Sequence, residues 1–381
     1  MSDWKITTIG DLLRVRNGRS QREIETRYGK YPILATGGEI GRTDTAIYSK
    51  PSVLIGRKGT INRPQFQESP FWTVDTLFYT EVGAESDPEF LYNLFCTIDW
   101  MSLNEATGVP SLTGKRIESI SVRVPMLKEQ RSIAKVLRNV AKLIASLEGL
   151  ISKKQDIKQG IMQELLTGRT RLPGFAGEWL NKSAGELGSF HGGNGFPVRY
   201  QGVKNESIPF FKVSDMNLAG NEKYMIHSNN AISELSRMKM GAAAFPNGAV
   251  VFAKVGAAVF LERKRILSRA SCIDNNMAAF VIDSKIADNL FIYYSMLNVS
   301  MSSLVAIGAL PSLNAHQLRS IPLKLPKDLT EQRAIASLLS DVDTEIGALE
   351  RRLELGRYIR QGMMQQLLTS RIRLPVGEAA V

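Results

Sequence analysis

At 381 residues the chain has room for two ordinary domains and the helices to connect them. Its two cysteines, Cys96 and Cys272, argue against a disulfide framework, and no apolar run approaches the roughly 18 residues of a membrane span. The opening Met1-Ser-Asp-Trp4-Lys5 carries no apolar signal region, and 48 basic against 37 acidic side chains leave a net charge of +11, so a cytoplasmic protein with an anionic partner and no membrane association is expected.

Taken in chain order, the first distinctive stretch is Trp4-Lys-Ile-Thr-Thr-Ile-Gly10-Asp11-Leu12. Runs rich in β-branched and aromatic residues predict strands over residues 31–35, 52–55 and 72–79, and a short apolar pattern predicts a helix over 88–98. Gly108-Val-Pro110-Ser111-Leu112 and Ser119-Ile120 close this part. A proline-free segment from about residue 129 to 167 then reads as one helix, roughly 58 Å long at 1.5 Å per residue. After Pro173 the order repeats. Trp179-Leu-Asn-Lys-Ser-Ala-Gly185-Glu186-Leu187 answers to the first stretch, strands are predicted over residues 208–213, 249–255 and 278–282, and a helix over 288–297. Ala309-Leu-Pro311-Ser312-Leu313 and Ser320-Ile321 lead into a second long helix that Pro375 stops.

The two helical segments are copies. Residues 129–173 and 331–375 share 22 of 45 residues at an offset of 202, which chance does not produce. Apolar residues recur with 4-3-4-3-4 spacing at Ile133, Leu137, Val140, Ile144, Leu147 and Ile151, and again at Ile335, Leu339, Val342, Ile346, Leu349 and Leu353. A stripe this narrow is a coiled-coil seam, and the equivalent helix of the same chain is its expected partner, with residues 133–151 lying along 335–353. The fold class that follows is α+β: two pseudo-repeated mixed α/β domains, residues 1–124 and 174–325, joined by two long antiparallel helices, in residues 125–173 and 326–381, that form a coiled coil. Equal frames around unlike interiors suggest two sites doing one job on two targets. The charge is uneven. Residues 1–124 carry 15 basic and 15 acidic side chains and residues 326–381 carry 8 of each, whereas 125–173 carry 10 against 4 and 174–325 carry 15 against 10. A basic helix and a basic domain suit a nucleic-acid polyanion.

Two motifs sharpen this. Pro-x-x-x-Glu-Gln-Arg-x-Ile-Ala runs from Pro125 to Ala134 and recurs, one residue longer, from Pro326 to Ala336; Gln-Gly-x-Met-Gln-x-Leu-Leu-Thr-x-Arg runs from Gln159 and again from Gln361. With the variable–helix–variable–helix order, which covers the whole chain, they make it resemble the specificity subunit of type I restriction–modification systems. The resemblance implies a subunit, not itself catalytic, that reads a bipartite site on double-stranded DNA with one target-recognition domain per half-site. Its paired helices would serve as spacer and docking surface. It implies partners too: methyltransferase subunits, two of them, that modify adenine with S-adenosylmethionine, and motor–nuclease subunits that use ATP and Mg and cleave unmodified sites. No cofactor is expected in this chain. The four-residue repeats that some members carry at the end of the first helix are absent.

The residues agree that chemistry lies elsewhere. No Pro-Pro dipeptide is present for an adenine methyltransferase loop, and no Gly-x4-Gly-Lys-Ser/Thr cradles a phosphate. The three histidines and two cysteines lack metal-ligand spacing, so neither catalytic nor metal residues are assigned. Two rival readings stand beside the DNA reader: a stand-alone metal-dependent endonuclease built on Asp274, Asp283 and Lys285, and a coiled-coil scaffold that binds no DNA.

DNA contacts are expected from lysine and arginine on phosphates and from bidentate side chains on base edges. In the first half Arg57, Lys58 and Arg63 form a glycine-flanked basic loop after a strand; Lys254 with Arg263, Lys264 and Arg265 is the expected counterpart. The polar stretches after the shared Pro-Ser-Leu supply Thr113, Lys115 and Arg116 in one half and Asn314, His316 and Gln317 in the other. Arg14, Arg16, Asn17 and Arg19, and likewise His191, Asn194 and Lys212, form weaker clusters.

Overall fold

The computed structural model describes residues 4–305 and 311–374, so the expected stop at Pro375 and the Ala309-Leu310 end of one shared motif lie outside the described residues. The chain is α+β and divides into two compact units: the described residues of 1–150 and 349–381 make one, those of 151–348 the other.

In the first unit, Lys5–Thr8 pairs antiparallel with Ser121–Val124, Lys5 opposite Val124, so the variable part begins and ends on one strand pair. The turn out of the first strand is fixed by Asp11, whose carboxylate accepts from the Thr8 amide (2.9 Å) and hydroxyl (2.6 Å), starting the short helix Ile9–Leu12. Two four-stranded sheets follow. One has the order Leu13–Asn17, Leu77–Val82, Ser52–Gly56, Gln65–Gln67; the other has Glu25–Thr26, Gly38–Thr43, Tyr31–Ala35, Trp72–Thr73. The single strand expected over residues 72–79 is therefore two strands in two sheets. Its alternation breaks at Asp75-Thr76, where the Leu77 amide turns back to the Val74 carbonyl (3.0 Å). Helix Pro88–Phe95, capped by Asp87, buries Phe90, Leu91, Leu94 and Phe95.

The second unit is closed in the same manner by Trp179–Ser183 against Pro322–Pro326. A five-stranded sheet runs Gly188–Gly192, Met277–Ile282, Val250–Ala253, Lys264–Leu267, Tyr224–Met225, beside a three-stranded one of Ala231–Ile232, Ile208–Phe211 and Cys272–Ile273. Asp288 caps helix Asn289–Leu297.

The long helices are Leu127–Leu165 and Leu329–Leu367, 39 residues each, and each unit contains a piece of both. In the first unit Ile133, Ala134 and Leu137 share a buried cluster with Leu367 and Leu368, and Glu148 pairs with Arg357 at 2.6 Å. In the second unit Met162, Leu165 and Leu166 share one with Ile335, Ala336 and Leu339, and Lys158 pairs with Asp343 at 2.6 Å. Both sets of contacts run antiparallel. They correct the expected register, because residues at the start of each helix meet the end of the other, beyond the heptad stripe. Of that stripe, Ile133, Leu137, Leu147, Ile151, Ile335, Leu339 and Ile346 are buried, while Val140, Ile144, Val342, Leu349 and Leu353 are half-buried.

The Glu-Gln-Arg motif has a structural role in each copy. Glu129, 3 % exposed, is gripped by Arg373 at 2.6 and 3.1 Å and receives the Trp4 indole N–H at 3.4 Å. Glu331, fully buried, is gripped by Arg171 at 2.6 and 2.7 Å and receives the Trp179 indole N–H. The neighbouring glutamines, also buried, accept from the backbone amides of Asp87 (to Gln130) and Asp288 (to Gln332) at the starts of the short helices. Fork-on-fork pairing holds a buried carboxylate that would otherwise be costly.

Candidate nucleic-acid interface

Strand Ser52–Gly56 is buried along its whole length and delivers Arg57 at its end. A Cβ on Gly56 would fall 2.2 Å from the Thr60 carbonyl, so glycine is required for the chain to fold back there. The returning loop is stitched on two sides. Arg57 and Lys58 donate their amides to the Thr76 carbonyl (2.8 and 3.3 Å), Gly59 donates to Pro110 (2.9 Å), and Leu112 donates to Arg57 (3.0 Å). Gly59 has φ +84°, a left-handed conformation that glycine adopts freely. Thr113 then caps helix Gly114–Glu118 by accepting from the Arg116 amide (3.2 Å), and Ile117 anchors the helix in the core.

The second unit repeats the construction with other side chains. Buried strand Val250–Ala253 delivers Lys254, whose amide donates to Asn276 (2.8 Å); Gly256, φ +80°, donates to Pro311 (2.8 Å), and Leu313 donates to Lys254 (2.9 Å). Asn314 caps helix Ala315–Arg319, accepting from the Gln317 amide (2.8 Å) while the Gln317 side-chain oxygen accepts from the Asn314 amide (3.1 Å). Two stretches more than 50 residues apart in sequence thus lie side by side in each unit.

Lys58, Arg63, Lys115, Arg116 and His316 are exposed, Arg57 and Lys254 half-buried. Thr113, Asn314 and Gln317 have side-chain oxygens committed to helix caps. The cluster of Arg263, Lys264 and Arg265 does not join these loops as an exposed basic patch. Lys264, 1 % exposed, faces inward on strand Lys264–Leu267 and donates to the Glu262 carboxylate (2.8 Å) and the Val299 carbonyl (2.6 Å). Burial disfavours the Glu262 carboxylate, but the Lys264 hydrogen bond and the amides of Ser302 and Met301 outweigh it and bring its pKa down to about 2. Arg263 bonds Asn217; Arg265 donates to the Lys264 carbonyl (2.9 Å), and burial lowers its pKa. Period-two alternation in a half-buried strand, which three consecutive basic residues conceal, accounts for the difference.

Two turns that sequence reasoning missed complete the arrangement. Residues 74–77 and 274–277 form matching turns whose Thr76 and Asn276 carbonyls hold the basic loops, and they present Asp75, Asn275 and Asn276 to solvent. Arg57 also donates from its guanidinium to the Asp75 carbonyl (3.3 Å). Gly18 and Gly193 pack so closely that an added Cβ would lie 2.0 Å from the carbonyls of Val74 and Asp274. Residues 71–80 and 271–280 share no identity at an offset of 200, so the match lies in the backbone alone and the sequence carries no signal for it. In the weaker clusters, Arg16 pairs with Glu81 (2.9 Å), Asn194 donates to the Gly241 carbonyl (3.2 Å) and Lys212 to Gln201 (3.2 Å).

The acidic–lysine triple is not assembled. Asp274 precedes strand Met277–Ile282 and Asp283 follows it, about 20 Å along an extended chain of six residues. Among the described residues no group of three or more His, Cys, Asp or Glu is placed to hold a metal ion, and no helix is long and apolar enough to cross a membrane. Exposed cations around amide- and carboxylate-bearing turns suit phosphate and base-edge contacts.

Residues 1–155 and 177–355 match the type I restriction modification DNA specificity domain. The type I restriction enzyme MjaVIII specificity subunit of Methanocaldococcus jannaschii is 22% identical over 415 residues, covering 98% of this chain and 93% of its own. The type I restriction–modification S subunit from M. genitalium superposes with a TM-score of 0.67 at 16% identity, covering 96% of each chain. A chain from a structure of type I restriction–modification complex assembly and conformational transition superposes at 0.54 with 15% identity, covering 97% of this chain and 98% of that one. At these identities the structural likeness is one of fold.

Proposed function

The chain belongs to the family of type I restriction–modification specificity subunits, and from that premise we propose that it reads a bipartite DNA target, one half-site per target-recognition domain. Residues 1–124 and 174–325 would be the two readers. The observation that carries this is the recurrence of one stitched loop frame with unlike side chains: Arg57-Lys58, Asp75-Thr76 and Lys115-Arg116 in one unit, Lys254-Val255, Asn275-Asn276 and His316-Gln317 in the other. A shared backbone frame docks each unit alike, and differing polar groups select different bases.

In this reading the long helices, in residues 125–173 and 326–381, form a coiled-coil spacer that sets the distance between half-sites. The subunit itself is non-catalytic and works in the cytoplasm. Two methyltransferase subunits bring S-adenosylmethionine to the adenine of each half-site, and restriction subunits bring ATP and Mg for translocation and cleavage. Sequencing modified adenines in DNA from cells that express the chain with its methyltransferase partner tests this. The expected product is a motif of two specified parts flanking an unspecified gap; one uninterrupted motif contradicts it.

A further inference from the structure

The helical repeat makes positions 202 residues apart directly comparable, and one such comparison exposes a difference between the units. Position 343 is aspartate and position 141, its counterpart, is alanine; Lys158 corresponds to Arg360. In the second unit Asp343 is the centre of a closed network. It pairs with Lys158 (2.6 Å) and Lys223 (3.2 Å) and accepts from the Tyr294 hydroxyl (2.6 Å), while Lys223 donates to Tyr294 (2.7 Å) and to Ser340 (3.1 Å). Every charge there has an opposite partner.

In the first unit the same place is open. A cavity of about 740 Å³ lies between the two long helices and the end of helix Pro88–Phe95, with Ala141, Ile144, Ala145 and Met364 among its walls and Arg360 facing Cys96. The Arg360 Nε is buried with no hydrogen-bond partner, and among the described residues Arg360 makes no ion pair. The other arginine of the cavity, Arg357, is already neutralised by Glu148 at 2.6 Å. A buried donor without an acceptor is costly, and native structures satisfy nearly all of them. The volume is that of a small-molecule site, and such sites combine apolar walls with a few fixed polar groups.

We propose that this cavity binds a small carboxylic acid on a short apolar body, its carboxylate taking the position beside Arg360 that Asp343 takes beside Lys158. The apolar walls would cover the body, and the guanidinium would supply a charge-assisted pair of donors. The inference does not rest on the DNA-reading assignment, since none of the residues that line the cavity belongs to the stitched loops.

The test uses the full-length chain, hexanoate as the probe and hexanamide as its neutral control, with affinity read from methionine-methyl NMR shifts and from the thermal midpoint. Hexanoate is expected to shift the Met364 methyl and raise the midpoint, binding at least about tenfold tighter than hexanamide. Arg360→Gln should remove that preference. Ala141→Asp, which provides the carboxylate within the chain, should raise the midpoint with no probe present and abolish the response to hexanoate. Equal binding of acid and amide, no response to either, or a hexanoate response that survives Arg360→Gln would overturn the proposal.

Discussion

Lys58 and Lys264 both sit in basic clusters, and the structure assigns them opposite environments. Lys58 is exposed near the start of a loop whose backbone is held on both sides, whereas Lys264 is sealed against Glu262 and the Val299 carbonyl. Their substitutions should separate. Lys58→Ala is expected to weaken binding to all DNA sequences and flatten the plot of log affinity against log salt by about 1. An unchanged slope would take Lys58 off the phosphates. Lys264→Ala removes a charge-assisted hydrogen bond from Glu262, which keeps the Met301 and Ser302 amides, and should cost about 2 kcal/mol in urea unfolding, with the target sequence unaltered. A stable Lys264→Ala protein with altered specificity would reverse the assignment.

Among the elements, the long helices show what a heptad pattern can and cannot reveal. Their existence, length and apolar faces were legible because 4-3-4-3-4 spacing over proline-free segments has few other solutions. Their register was not, since a repeating stripe matches its partner equally well at several offsets. The offset is set instead by Arg171 on Glu331 and Arg373 on Glu129, pairs between the end of one copy and the start of the other. Glu129 and Glu331 lie in one visible motif, and Arg171 and Arg373 fall two residues past the other; that they hold each other was not legible, because nothing local in a sequence says which buried carboxylate an arginine will find. The spacer role makes a length prediction. Four helical residues added after Ile151 lengthen the helix by roughly 6 Å, against roughly 3.4 Å per base pair of each strand. The gap in the methylated motif should grow by one or two base pairs with both half-sites unchanged. An unaltered gap in an active complex would place the ruler elsewhere.

For the molecule as a whole, the paired basic loops were legible from residues that the backbone demands. Gly59 and Gly256 both hold left-handed turns, and the amides of Leu112 and Leu313 both close the basic loop. The turns at Asp75-Thr76 and Asn275-Asn276 escaped because they interrupt apolar runs that read as continuous strand. The basic cluster at 263–265 misled for a related reason: a strand hides alternate side chains, whatever their charge. The central claim is that each half reads its own half-site, and exchanging one reader tests it most directly. Residues 1–124 would be replaced by the same region of a relative with a different target, and modified adenines mapped in cells that also express the methyltransferase partner. The account predicts that one half of the motif changes while the other half and the gap persist; a motif in which both halves change together would contradict it.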